Sequence, residues 1–334
     1  MLRFVVRRLL QLIPILFGLS IIVFAWVHAL PGGPAEGLLG ERSTPARVAQ
    51  VRHEYGLDRP LYVQYGSYMQ KTLSLDFGQS IATQRSVKSE IRRRFPATVE
   101  LALGALIFAI GAGIPLGFLA AKRVGGAPDH LSMAGSLLGI SVPVFFLAYL
   151  LKYVFAVKLG WLPSIGRLSP TRQVHHPTGF YVLDAIVTAD PATLWDAIRH
   201  LVLPALALGT IPLAIITRIT RAAVLEVTDE DYVRTAEAKG LTARVVNSRH
   251  IFRNAMLPVV TILGLQTGLL LSGAVLTEVV FSWGGMGSFL YQGIIDRDFP
   301  VIEGGVLFVA VVVVLVNLMV DVGYGILDPR IRVR

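Results

Sequence analysis

Apolar residues fall into six long runs set between polar stretches, and the run length is that of membrane spans rather than of half-buried soluble helices. The runs are about Leu9–Leu30, Ala97–Ala121, Leu131–Val157, Leu201–Ile216, Leu257–Phe281 and Val301–Val322. Pro143 interrupts the third, and Pro204 and Pro212 lie in the fourth. The first run exceeds the roughly 7–15 apolar residues of a signal-peptide core, so it reads as a retained span. The pattern therefore predicts an all-α, polytopic membrane protein with six transmembrane helices.

Basic residues orient the chain. Arg3, Arg7 and Arg8 precede the first span, Lys122 and Arg123 fill a short turn after the second, and Arg330, Arg332 and Arg334 end the chain. Short cytoplasmic loops carry such an excess, so both termini are expected in the cytoplasm. The first outer stretch, Pro31 to about Pro96, opens on a Pro-Gly-Gly-Pro break. It then shows a helical pattern near Ala46–Tyr55 and a second amphipathic piece with Tyr62, Tyr65, Tyr68 and Met69, read as a packing stripe. A second outer stretch runs from Lys158 to about Trp195, and a short outer turn from Ser282 to Pro300. The expected organisation is residues 1–95 as first span and outer segment, 96–327 as core, and 328–334 as a basic tail.

Between the fourth and fifth spans lies a polar, basic stretch, Arg218–Pro258. Thr228 with Asp231 three residues on reads as a capping box with Asp in place of Glu. Asp229, Glu230 and Asp231 would face the positive end of the helix dipole and Lys239 the negative end. Gly240 stands where a left-handed residue ends a helix. Thr242 would cap a second short helix bearing Arg244, Arg249 and Arg253. Two helices bent at a glycine are thus expected, presented to a cytoplasmic partner.

Composition narrows the chemistry. Of 334 residues, 54% are hydrophobic and only 16% charged, against about a quarter charged in soluble domains. The formal charge of +9 collects at span ends and in loops, where topology and anionic lipid account for it without nucleic acid. The absence of cysteine excludes thiolate chemistry. A phosphate-binding loop needs Gly before Lys, yet Gln70 precedes Lys71 and Val87 precedes Lys88. His175 and His176 are adjacent in an outer loop and His200 stands alone, which is not metal-ligand spacing. An intramembrane enzyme, the lesser alternative, would need a Ser/His pair or two Asp within spans; no span carries a mid-span His, and Asp321 has no in-span Asp partner. Glu100, Lys152, Glu278, Glu303 and Asp321 are the ionisable residues in or beside spans, with Lys152 and Glu278 the candidates for a pathway or gate.

At the polar stretch the wording resembles a known family. TDEDYVRTAEAKGL followed by RHIFRNAMLPVVTILGLQ is similar to the coupling loop of ABC importer permeases, specifically the dipeptide and oligopeptide branch. The family's triplet before the conserved-type glycine falls on Arg234, Thr235 and Ala236, and its later proline on Pro258. RFVVRRLLQLIPILFGLSIIVF, YGLDRPLYVQYGSYMQKTLSLDFGQS, LTEVVFSWGGMG and DVGYGILDPRIR resemble further family segments in the family's order. Gly284 stands where the family usually has Pro, and Glu237 where many members have Arg.

The resemblance implies a type I ABC importer permease fold and a subunit without catalysis of its own, importing short peptides. Nickel-chelate or another small solute is the alternative cargo. It implies a loop, about residues 218–256, that contacts an ATPase through Asp231, Tyr232, Arg234, Thr235, Ala236, Glu237, Ala238, Lys239 and Gly240. The partners it implies are a second homologous permease, two ABC ATPases, an extracytoplasmic solute-binding protein and the lipid bilayer of a bacterial-type cell membrane. No cofactor is expected on this chain, since ATP and Mg would sit on the ATPases.

Overall fold

A computed structural model describes residues 2–29, 39, 44–54, 57–172 and 177–327. The Pro31–Pro34 break, His175, His176 and the tail 328–334 lie outside the described residues. The structure is all-α, and the one β pairing among the described residues is a bridge between Gln79 and Ser86. Five continuous helices among the described residues are long and apolar enough to cross a membrane, and one bent pair is a sixth candidate. Two compact units are present: residues 1–98 with 284–318, and residues 99–283 with 319–334.

In the first unit, α1 (Leu2–Ala29) is the first span. The polar stretch after it forms α2 (Pro45–Glu54) and α3 (Leu61–Leu73). The tyrosine stripe divides by partner. Tyr65 and Tyr68 pack on Phe24 of α1, with ring centroids 5.4 and 5.7 Å away, while Tyr62 is left exposed. Ser20 of α1 bonds the Tyr65 hydroxyl at 2.7 Å, and His28 bonds Gln64 at 3.0 Å.

α4 (Val87–Lys122) begins about ten residues before the expected second span. Glu90 lies in its first turn and accepts from Arg93 and Arg94 at 2.8 and 2.9 Å. Arg92, Arg93 and Arg94, within the stretch expected to lie outside the spans, are therefore folded into helix, supported by i,i+3 and i,i+4 pairing. The turn expected at Ser282–Pro300 contains a further helix, Met286–Ile295. Val87, Ile91, Met286, Phe289 and Val301 form one buried cluster, and the Thr98 hydroxyl accepts from the Met286 amide at 2.8 Å. The Gly-Gly-Met-Gly wording hid this helix, because glycines argue for a turn while the packing of Met286 and Phe289 decides for helix.

In the second unit, α5 (Ala127–Ser141) and α6 (Val144–Leu151) meet at 105° across Val142–Pro143, where proline withholds an amide and disfavours helix in the residue before it. α6 continues into a π-helical turn, Lys152–Lys158. α7 is Tyr181–Val187, and α8 is Pro191–Thr228, 38 residues and far longer than the apolar run it contains. Asp190 caps α8, accepting from the amides of Ala192 and Thr193 and from the Thr193 hydroxyl, with Pro191 in the first turn where its missing amide costs nothing.

α8 is the hub on which α5, α6 and α7 pack. Its approach to α4 depends on glycine. A Cβ on Gly117 would lie 2.5 Å from the Thr217 carbonyl oxygen, and one on Gly209 would lie 2.7 Å from that of Ala105. Lipid offers no hydrophobic drive between helices, so such close backbone packing is what holds spans together.

Candidate functional site: an exposed helix seated on three spans

The stretch after α8 folds as α9 (Asp231–Ala238), a glycine elbow, the single turn α10 (Ala243–Val245), a π-helical segment Val246–Phe252, and α11 (Arg253–Gly273). A short helix, α12 (Val275–Val280), follows; the inserted helix of the first unit is then α13 (Met286–Ile295) and the last span α14 (Phe299–Leu327).

Two expectations for this stretch are corrected. The capping box does not form: Thr228 is the last residue of α8, and its hydroxyl donates back to the Val224 carbonyl at 2.6 Å. Glu230 takes the N-cap position of α9 with no side-chain cap bond. A threonine that can bond within its own helix prolongs that helix instead of starting the next. The second short helix is also not separate. Thr242 sits at its N-cap with no side-chain bond, and the chain from Ala243 runs without interruption into the fifth span, to Leu271.

The elbow itself is as expected. Gly240 has φ 76°. The Leu241 amide donates to the Ala236 carbonyl at 3.4 Å and the Gly240 amide to that of Glu237 at 2.9 Å. This six-to-one, five-to-two pair is the Schellman closure of a helix.

An eight-residue helix has little stability of its own. α9 is held by Val233 and Ala236, 1% and 4% exposed, which enter a cluster with Ala121 of α4, Ala223 and Val224 of α8, and Val246, Ile251 and Ala255 ahead of and within α11. Val233 was not among the expected site residues; its i,i+3 spacing with Ala236 was the available signal. Ala236 is thereby an anchor facing inward, whereas Asp231, Tyr232, Arg234, Thr235, Glu237, Ala238, Lys239 and Gly240 are exposed. Asn254 donates to the Tyr232 hydroxyl at 3.0 Å, a second tie from α9 to α11. Arg234 and Asp231 pair at 3.5 Å in the open, an interaction of small worth. Glu237 lies close enough to Lys122 for their charges to attract. An arginine there, as many members of the resembled family have, would repel Lys122 instead.

Behind the helix, Arg221 of α8 holds Asp129 of α5 through two bonds of 2.6 and 2.9 Å, and Asp129 also accepts the Gly125 amide at 3.0 Å. The paired geometry fixes α5 and α8 in register.

Lys152 is tied to α12, the helix that carries Glu278. Lys152 donates to the Val280 carbonyl at 2.8 Å, and Glu278, two residues before Val280 in α12, is fully buried. A stronger charged centre in the same unit was not foreseen. Arg167 donates to Glu100 and to the Gly179 carbonyl, and its guanidinium lies 3.7 Å from the Tyr181 ring centroid. Arg167 and Glu100 are 10% and 7% exposed and 67 residues apart, a separation that no local pattern spans. Gly284 has φ 73°, which a proline ring cannot adopt, so the resembled family's usual proline would require a different turn here.

These features are those of a multi-pass membrane protein in which a short helix sits on neighbouring spans with its polar face exposed. Comparison with known proteins places it further. Residues 113–333 match the binding-protein-dependent transport system inner membrane component family, and residues 1–102 match its N-terminal companion. The chain belongs to that family. It is 46% identical to the dipeptide transport system permease protein DppB of Alkalihalophilus pseudofirmus, over 99% of this chain and 100% of that protein. It is 47% identical to the di/tripeptide transport system permease protein DppB of Pseudomonas aeruginosa, over 99% of each. It is 40% identical to the glutathione transport system permease protein GsiC of Escherichia coli, again over 99% of each. Family and relatives are transport permease subunits, which are non-catalytic, and the chain works as part of a transport system with partners.

Proposed function

We propose that the chain is the membrane permease subunit of an ATP-driven importer of short peptides. It pairs with a second, similar permease, two ABC ATPases and an extracytoplasmic solute-binding protein in a bacterial cytoplasmic membrane, with both its termini on the cytoplasmic side. ATP and Mg belong to the ATPases. The polar face of α9 docks on one of them.

The observation that carries this reading is the seating of α9. Its buried Val233 and Ala236 engage α4, α8 and the lead into α11 together, so a displacement of α9 is passed to several spans at once. The Schellman elbow and the Asn254–Tyr232 bond keep the motion rigid rather than letting the helix melt. ATP closing the ATPase pair shifts the spans between inward- and outward-open states by its differential affinity for them. The relatives named for dipeptide and di/tripeptide transport support peptides as the cargo. The test is ATP hydrolysis by the reconstituted complex with its binding protein. Stimulation by di- and tripeptides is expected; stimulation by nickel-chelate and not by peptides would overturn the cargo.

A further inference from the structure

The first unit contains a cavity of about 530 Å³, a volume typical of small-ligand sites. It opens to solvent and is lined by the end of α1, α2, the turn into α3, α3, the turn after it and the first turns of α14. Phe24, Phe77 and Phe299 give it an apolar side. Gly304 lets Phe77 pack where a Cβ would stand.

Much of the polar lining is committed to the fold. Gln64 donates to the Leu57 and Arg59 carbonyls and bonds His28, whose other ring nitrogen bonds the Phe24 carbonyl. Asp76 accepts the Gly78 amide. Glu303 is different. It is half-buried on α14, and among the described residues it makes no hydrogen bond or ion pair. Lys71 is near enough to act on it electrostatically yet forms no pair with it. The Tyr68 hydroxyl beside them is shielded from water without a completed hydrogen bond, and burial raises its pKa, with the Glu303 charge adding to the effect. A partly desolvated carboxylate without a donor is costly, and a bound cation would relieve that cost. The wall carries both signs, with Lys71 and Arg59 as cations.

We propose that this cavity binds a small zwitterion bearing a primary ammonium: Glu303 takes the ammonium, Lys71 and Arg59 take the anionic end, and the phenylalanines take the side chain. Resting on the peptide-import reading, the ligand is the free-ended short peptide. A phosphoethanolamine headgroup shares the ammonium and the anion, and the test separates the two.

The full-length chain in phosphatidylcholine nanodiscs, which lack primary ammonium, is titrated calorimetrically with Ala-Ala, N-acetyl-Ala-Ala, Ala-Ala-amide and phosphoethanolamine. Ala-Ala is expected to bind, and N-acetylation to weaken it about tenfold or more, the worth of one charge-assisted bond. Glu303→Gln weakens Ala-Ala by a similar factor and leaves N-acetyl-Ala-Ala unchanged. Lys71→Gln, a surface change, reduces the preference for Ala-Ala over Ala-Ala-amide and serves if Glu303→Gln fails to fold. Equal affinity for the acetylated peptide, indifference to both variants, or tighter binding of phosphoethanolamine than of Ala-Ala overturns the site. Peptide-stimulated ATP hydrolysis by the assembled importer separates the two claims. Stimulation present in wild type while peptide binding ignores Glu303 sinks the cavity and leaves import standing. Absent stimulation with Glu303-dependent binding sinks import and leaves the cavity as a zwitterion site.

Discussion

Replacing Gly240 by alanine isolates what the elbow contributes. No atom lies within 4 Å of the position a Cβ would take, so the substitution causes no clash. The whole penalty is conformational. At φ 76° an L-residue with a Cβ costs roughly 1–2 kcal/mol relative to glycine. That shifts the balance between closed and open elbow by about 5–30-fold, since 1.4 kcal/mol is a factor of ten. Opening breaks the Leu241–Ala236 and Gly240–Glu237 bonds and frees α9 to pivot about Val233. Gly240→Val carries the same strain plus β-branching, and is expected to be worse. Gly240→Pro also removes the donor to Glu237. The assay is coupled transport in proteoliposomes: peptide taken up per ATP hydrolysed, alongside hydrogen exchange of amides 233–242. Uptake per ATP should fall in the order Gly, Ala, Val, Pro, with faster exchange confined to that segment and unchanged insertion. If Gly240→Ala and Gly240→Val kept wild-type uptake per ATP and wild-type protection, the elbow would not be the coupling element and the reasoning would fail.

Arg167→Lys should not substitute for arginine, because one ammonium cannot hold Glu100 and the Gly179 carbonyl while lying flat on Tyr181. Breaking so buried a pair is expected to cost about 3–5 kcal/mol, read as a lowered unfolding temperature, with Arg167→Lys nearer to Arg167→Gln than to wild type. The Asp190 cap should make stability pH-dependent. The Thr193 hydroxyl, then the Thr193 amide, holds its carboxyl below the ordinary carboxylate range. A depressed folded pKa gives stability that is present above the unfolded value, about 3.9, and is lost as pH falls through the folded value. Asp190→Asn keeps a capping oxygen and does not titrate, so the wild-type advantage in unfolding temperature should shrink between pH 6 and pH 3. A constant difference over that window would refute the cap's role.

The six-run pattern was enough to read the all-α membrane architecture, and Gly240 announced its turn because few residues tolerate a left-handed conformation. The interruption at Pro143 was legible, but its 105° bend was not, since proline marks where a helix stops and not where the chain goes next. α8 outran its apolar run because a capped N-terminus at Asp190 and the Asp129–Arg221 pair extend helix beyond the stretch that hydropathy detects. Thr228 looked like a start signal, and its hydroxyl could as well bond backwards; only the surrounding helix decides between these. Which face of α9 is free followed from packing: Ala236 sits in the Arg-Thr-Ala triplet yet is buried, and Val233 outside the triplet is buried with it. The Arg167–Glu100 centre joins residues far apart in the chain, and charge patterning along a sequence carries no such information.

The account turns on where α9 is and what meets it. The chain has no cysteine, so Arg234→Cys introduces a single reactive thiol on the exposed face of α9. It is to be labelled with a membrane-impermeant maleimide from each side of the membrane in turn, with and without the ATPase subunits. The account predicts labelling from the cytoplasmic side and its suppression when the ATPases are bound. Labelling from the opposite side, or cytoplasmic labelling that the ATPases leave unchanged, would contradict it.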